Sequence, residues 1–351
     1  MGFNGTLSAA QIDILSTVYL VSLTPSLIGS FSVLVVSTVK WRYLQEQVQP
    51  LVQLALADLL ATVILMFSSA MNKAGNLSNS VPICQHTLPL SLTFYFISFL
   101  LGAVYAWKSK NAIHGWRARL GEDEGEQTQC RRSMVAVPVY AIVWFMPIAM
   151  YFVYIYTPYM TTASLIPTDL NGMSYDRIKY CTSCLLFLHI WSDSCSDAEK
   201  YHDTFIRGFL IIIVILVMLS CSVIYYKIGR WYQRYEQEGL FPVEGDGRSR
   251  RRFKRMLSTA RNMVIVIFIS WAPALVLVVL STLTTWTSIQ QRSLFGLYFL
   301  QAVTVSLQGF LNSMVYAWRR PNFTAAVLGE NTPLMAHGHQ AFFDESLIST
   351  A

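Results

Sequence analysis

The sequence predicts an all-α membrane protein, a bundle of seven transmembrane helices, and three observations carry that prediction. Hydrophobic residues make up 54% of the 351 positions and charged residues only 13%, about half the charge content of an ordinary soluble domain. Apolar runs recur along the chain at roughly the 20-residue length that crosses a ~30 Å hydrocarbon layer. Lys and Arg gather in alternate connections between those runs, as the positive-inside rule requires. The net charge of +6 and pI near 9.0 therefore belong to membrane flanks. They do not form the Gly-rich or aromatic–basic stripes of a nucleic-acid binder, and no nucleic-acid partner is expected.

Seven runs fit the ruler: Ile14 to Val39, Leu51 to Met71, Leu88 to Trp107, Met134 to Tyr156, Phe205 to Lys227, Asn262 to Leu283 and Leu294 to Trp318. The apolar stretch Leu185 to Trp191 is too short to cross and falls in the fourth-to-fifth connection. One set of connections, with the tail, holds twenty Lys and Arg; the opposite set holds five, namely Lys73, Arg177, Lys179, Lys200 and Arg292. This places the N-terminus outside and the C-terminus in the cytoplasm. The chain thus divides into an extracellular segment 1–13, a transmembrane domain 14–318 and a cytoplasmic tail 319–351. No cationic region precedes the first span, which is expected to act as an uncleaved signal anchor.

Outer-face chemistry follows from that topology. Asn4-Gly5-Thr6 and Asn76-Leu77-Ser78 are glycosylation sequons on the lumenal side. The myristoylation pattern Met1-Gly2 with Thr6 would need a cytosolic N-terminus. Cys84, Cys181, Cys184 and Cys195 face the oxidising compartment, enough for two disulfides. A bridge from Cys84 would pin the long fourth-to-fifth connection to the third span, with all three loop cysteines open as its partner. A Cys181/Cys184 metal pair lacks two further ligands at suitable spacing, and no metal or cofactor is expected.

Polar residues at membrane depth are the candidates for function. Asp58 sits within Leu54-Ala55-Leu56-Ala57-Asp58-Leu59-Leu60, where an unpartnered carboxylate is costly. Its options are uptake of a proton, a polar partner on a facing helix, or a cation held by several oxygens. Ser98, Gln308 and Asn312 are the available oxygens if their helices meet Asp58; a purely structural hydrogen-bond node is the alternative. Pro273 interrupts the sixth span next to Trp271, a hinge beside a bulky ring.

Several of these residues fall in register with a known family. Gly29-Ser30 with Val33, Leu56-Ala57-Asp58, Cys84, Trp144, Ser270-Trp271-Ala272-Pro273 and Asn312-Ser313-Met314-Val315-Tyr316 follow one another in the order of helix motifs of the rhodopsin-like G-protein-coupled receptors. The chain resembles that family from about Ser16 to Phe323. The resemblance implies a seven-helix receptor fold with a short amphipathic eighth helix near Phe323. It also implies a switch built on Trp271, Pro273, Asn312 and Tyr316, and a polar core at Asp58 that takes sodium or a proton.

The sequence also departs from the pattern. Where the family carries Asp-Arg-Tyr, the coupling triplet here is Lys108-Ser109-Lys110, and the carboxylate that opposes the Arg is replaced by Arg251-Arg252-Phe253-Lys254, so the usual ionic latch cannot form. Ser313 also replaces the helix-seven Pro, and the fifth span lacks the family's Pro. By the resemblance, an upper ligand pocket draws on Ser91, Tyr95, Trp271, Tyr298 and Ser306. Ser91 stands where amine receptors place Asp and Ser306 where opsins place the retinal Lys, which disfavours an amine ligand and a Schiff-base chromophore.

The reading that results is a receptor-like protein without enzymatic activity. It faces membrane lipid and an unidentified extracellular ligand, and it signals through a heterotrimeric G protein or arrestin. Its alternative is a receptor-fold scaffold, trafficking or decoy protein that does not couple. A transporter would show repeat symmetry and broken helices, and no paired halves are seen; an intramembrane enzyme would place some of the six His residues inside spans, and all six lie outside span interiors. The cluster Arg248 to Arg255 is expected to lie against anionic inner-leaflet lipid. Plasma membrane is the expected location, with the acidic Glu330-to-Met335 segment admitting an endolysosomal one.

Overall fold

The computed structural model describes residues 7–39, 41–74, 77–119, 127–156, 184–188, parts of 208–230, 248–284 and 291–315. The described residues are helical apart from turns, with helices α1 (Ala9–Val39), α2 (Trp41–Lys73), α3 (Leu77–Arg119), α4 (Gln127–Tyr156) and α5 (Arg248–Thr284). A 3₁₀ turn (Gln291–Leu294) leads into α6 (Phe295–Ser306) and α7 (Gln308–Ser313). Among the described residues, five stretches are long and apolar enough to cross a membrane: Ala10–Val39, Leu51–Lys73, His86–Tyr105, Val139–Tyr156 and Arg292–Ser313. The predicted fifth and sixth spans correspond to shorter apolar helices, Ile211–Ser220 and Ile265–Leu280, the latter inside α5.

The first helix starts earlier than its apolar run because a capping box anchors it. The Gln11 N–H donates to Ser8 Oγ and the Ser8 N–H donates to Gln11 Oε1, at 3.3 and 3.0 Å, which satisfies two of the donors that a helix end leaves free.

The faces of α1 are sorted as lipid demands. Ser16, Tyr19, Leu23, Ser26, Ser30, Val33 and Ser37 are all buried and recur at alternating spacings of three and four, while Val21, Ile28, Phe31 and Val39 are exposed. Lipid tails are as apolar as a leucine core, so helices associate through small residues and hydrogen bonds, with the large apolar side chains outward. The same seam continues in α2 through Leu51, Leu54, Asp58, Ala61, Leu65 and Ser68.

These seams close a bundle. α1 packs on α2, α6 and α7; α2 packs on α3 and α7; α3 also meets α4 and α5; and α5 meets α6 and α7. Near the N-terminal end of α1, Asn72 Nδ2 donates to Ser16 Oγ at 2.8 Å, which ties α2 to α1. A disulfide joins Cys84 of α3 to Cys184, which takes Cys184 out of any Cys-x-x-Cys metal pair. Cys181, Cys195, Asn4, Asn76, Tyr316 and the proposed eighth helix lie outside the described residues.

Candidate functional site

Asp58 is carried to the bundle centre by the inner seam of α2, where it is 1% exposed. Three donors from two other helices converge on it. Ser98 Oγ of α3 donates to Oδ1 at 2.7 Å, and Asn312 Nδ2 of α7 donates to Oδ2 at 2.7 Å. Gln308 Nε2 reaches Oδ1 at 3.5 Å and Ser98 Oγ at 3.2 Å. If the carboxylate is ionised, hydrogen bonds to it are the strong kind, about 1.5–3 kcal/mol each, and offset the cost of burying it. As placed, the Ser98 hydroxyl and the Asn312 and Gln308 amides each donate to Asp58, while Ser98 Oγ also accepts from Gln308. A cation here would be met by the Asp58 carboxylate and Ser98 Oγ, and the Asn312 and Gln308 amides would add oxygens only by turning over.

The node reaches α5 through Gln308, whose Oε1 accepts a hydrogen bond from Trp271 Nε1. Trp271 is fully buried and is held edge-on by Tyr95 and Phe99 of α3, at centroid distances of 5.4 and 5.1 Å. Two residues on, Pro273 has no N–H, so the Ile269 carbonyl loses its ladder partner. Trp271, Gln308, Ser98, Asp58 and Asn312 therefore form one continuous buried chain. The sequence singled out each of these residues but did not join Trp271 to Gln308.

A second arrangement was not anticipated. The backbone ladder is intact at Leu307 N–H to Val303 C=O and at Leu311 N–H to Leu307 C=O, 3.1 and 2.9 Å. Between them neither the Gln308 N–H to Thr304 C=O bond nor the Phe310 N–H to Ser306 C=O bond is made, and a hydroxyl from another helix takes the place of the latter. Ser26 Oγ of α1 accepts from the Phe310 N–H at 3.0 Å and donates to the Ser306 carbonyl. A side chain inserted into the ladder breaks a helix without a proline, and the break between α6 and α7 at Leu307 lies there. Close approach makes the insertion possible. A Cβ on Gly309 would stand 3.0 Å from Ser30 Oγ and 3.2 Å from Ser26 Cβ, and one on Gly29 would stand 3.2 Å from Ser313 Oγ. Above this contact, Tyr19 Oη and the Gln301 amide of α6 bond within 2.9–3.1 Å. The only sequence signal was the regular spacing of serines along α1.

The residues assigned to an upper pocket are all buried: Ser91, Tyr95, Trp271, Tyr298 and Ser306. Ser91 does not point a free hydroxyl into a cavity; its Oγ donates to the Ala61 carbonyl of α2 at 3.2 Å. Tyr95 Oη and Ser306 Oγ have no hydrogen-bond partner among the described residues. Lys108, Ser109 and Lys110 lie on the helical backbone of α3, past its apolar stretch His86–Tyr105.

Helices with apolar outer faces and small or polar inner faces, packed around a buried carboxylate, define an integral, multi-pass, all-helical membrane protein. A family model described as transmembrane protein 116 matches residues 12–333, and the chain belongs to that family.

Proposed function

We propose that the chain is a seven-span receptor-like protein, with its N-terminus outside and C-terminus in the cytosol, which carries an event at its outer face to a cytosolic transducer of the G-protein or arrestin kind. In this reading α5 moves about Pro273 and no catalysis is involved. The observation that supports it is the buried chain from Trp271 through Gln308 and Ser98 to Asp58 and Asn312. It makes the position of α5 depend on the same hydrogen bonds that place α7 against α2 and α3. Asn4 and Asn76 are then glycosylated outer residues, and the plasma membrane is the site of action. The ligand is neither an amine nor retinal.

A second reading, a receptor-fold scaffold, trafficking or decoy protein that does not couple, is favoured by Lys108-Ser109-Lys110. A transducer-recruitment screen on the full chain separates the two. The receptor reading expects nucleotide exchange or arrestin recruitment by at least one transducer, and silence across the panel refutes it. The triple substitution Lys108→Asp/Ser109→Arg/Lys110→Tyr refines the outcome: a large gain in basal signal marks a silenced receptor, and no gain marks a scaffold. Antibody access to tags at both ends tests the orientation.

A further inference from the structure

The segment Cys184–Leu188 is a connection, yet it is buried. Connecting chain ordinarily runs over the surface because its backbone groups need water. Here Leu185, Leu186 and Leu188 are only 2%, 2% and 4% exposed. They belong to the same contiguous apolar core as Tyr95, Phe99, Trp271 and Tyr298. Three of the five side chains expected to line an open upper pocket, Tyr95, Trp271 and Tyr298, are thus part of a filled interior, and Leu185, Leu186 and Leu188 of the loop belong to the same cluster.

Two features hold the segment in place. The disulfide to Cys84 fixes its first residue to α3. A tight turn follows, with the Leu188 N–H donating to the Leu185 carbonyl at 3.3 Å. Phe187 in that turn has φ 62°, a left-handed conformation that a phenylalanine keeps only where its surroundings over-determine it. The loop is therefore packed as a shaped object and not draped across the opening.

We propose that the outer end of the bundle is an apolar binding cavity whose occupant is the chain's own Leu185–Leu188 turn, held there by the Cys84–Cys184 bridge. An external ligand for this cavity is an uncharged aliphatic or aromatic group that displaces the turn. The disulfide supplies the occupant at the high effective concentration of a short tether. The inference does not rest on transducer coupling, since a scaffold and a receptor would carry the same cavity.

The test uses the full chain in nanodiscs. With a photoreactive benzoylphenylalanine at Leu186, cross-links to peptides carrying Tyr95, Trp271 or Tyr298 are expected; cross-links to lipid alone overturn the proposal. In a second measurement, Tyr298→Cys is introduced and its maleimide modification is followed at that position by mass spectrometry. Trimming the turn with Leu185→Ala, Leu186→Ala and Leu188→Ala should speed modification at least about tenfold, the scale expected when a buried site becomes open. An unchanged rate overturns the proposal. The acetylated pentapeptide Ser-Leu-Leu-Phe-Leu, added to the trimmed protein at millimolar concentration, should restore protection, and failure to protect refutes recognition of the turn by the cavity. If the trimmed protein does not fold, the cross-linking result decides alone.

Discussion

Ser26→Ala removes one oxygen atom and, by the geometry here, two hydrogen bonds. The Ser26 hydroxyl accepts from the Phe310 N–H at 3.0 Å and donates to the Ser306 carbonyl. Without it, those two backbone groups have one escape, which is to bond directly as an ordinary helical pair. That requires the break at Leu307 to close and α7 to swing. Packing opposes the swing, because Gly309 is already seated against Ser30, Ser26 and Asp58 at Cβ distances of 3.0, 3.2 and 3.4 Å, and Asn312 is bound to Asp58. The break is therefore expected to persist with a donor and an acceptor left unsatisfied, at about 1–3 kcal/mol for each buried group. The total is on the order of 2–4 kcal/mol, the lower part of the summed range because the Phe310 end is only partly buried. Equilibrium unfolding in mixed micelles measures the loss, and hydrogen exchange at the Phe310 amide locates it. The expected result is a clear destabilisation with faster exchange at Phe310. A Ser26→Ala protein within about 0.5 kcal/mol of the parent and equally protected at that amide would refute the inserted-hydroxyl account.

Three further outcomes follow from the same contacts. Asp58→Ala strands the donors on Ser98, Gln308 and Asn312 and should cost on the order of 3–5 kcal/mol; the swap Asp58→Asn/Asn312→Asp should recover most of it, with a coupling of at least ~1 kcal/mol in a double-mutant unfolding cycle. Gly309→Ala should destabilise by about 1–3 kcal/mol through overpacking, whereas Gly102→Ala, whose new methyl meets only Ile267 Cδ1 at 3.8 Å, should be neutral or slightly stabilising in thermal unfolding. Removing the disulfide with Cys84→Ser/Cys184→Ser releases a closure of 100 residues and should lower stability by about 2–5 kcal/mol, read by comparing unfolding of the oxidised parent and the double variant.

What the sequence disclosed depended on whether an interaction leaves a trace within one segment. Asp58 was visible because a carboxylate in an apolar run is costly wherever the helix faces, and Ser98, Gln308 and Asn312 stood out for the same reason. The inner face of α1 was equally legible in principle, since Ser16, Ser26, Ser30 and Ser37 alternate with large apolar residues at helical spacing. Individual serine roles were not. Ser16, Ser68, Ser69 and Ser313 each donate to the carbonyl four residues earlier in their own helix, the common local habit of a hydroxyl in an apolar helix. Ser26 does something different, and nothing in Thr24-Pro25-Ser26-Leu27 says so, because the groups it bonds lie on another helix. Ser91 is another case: the resemblance implied a pocket position, and its hydroxyl donates to the Ala61 carbonyl of α2, a partner on another helix that the sequence does not name. The turn Leu185–Leu188 was apolar and too short to span, which correctly placed it in a connection. Its burial depends on a disulfide partner that sequence left open.

The break in the last span is consequently a property of the bundle and not of its own segment. Ser313 stands where the resembling family has a proline, and no proline lies between Phe295 and Ser313 to forbid a continuous helix at Leu307. Ser26 of α1 bridges the Phe310 and Ser306 backbone groups within the interruption, and Asp58 holds the far side through Asn312. Gln308, the first residue after the break, receives the Trp271 indole from α5. A displacement of α5 about Pro273 thus acts first on the residue next to the interrupted ladder. A proline at position 313 would instead free the Gly309 carbonyl, whereas the borrowed Ser26 hydroxyl makes the interruption at Ser306 and Phe310 conditional on α1 staying in place.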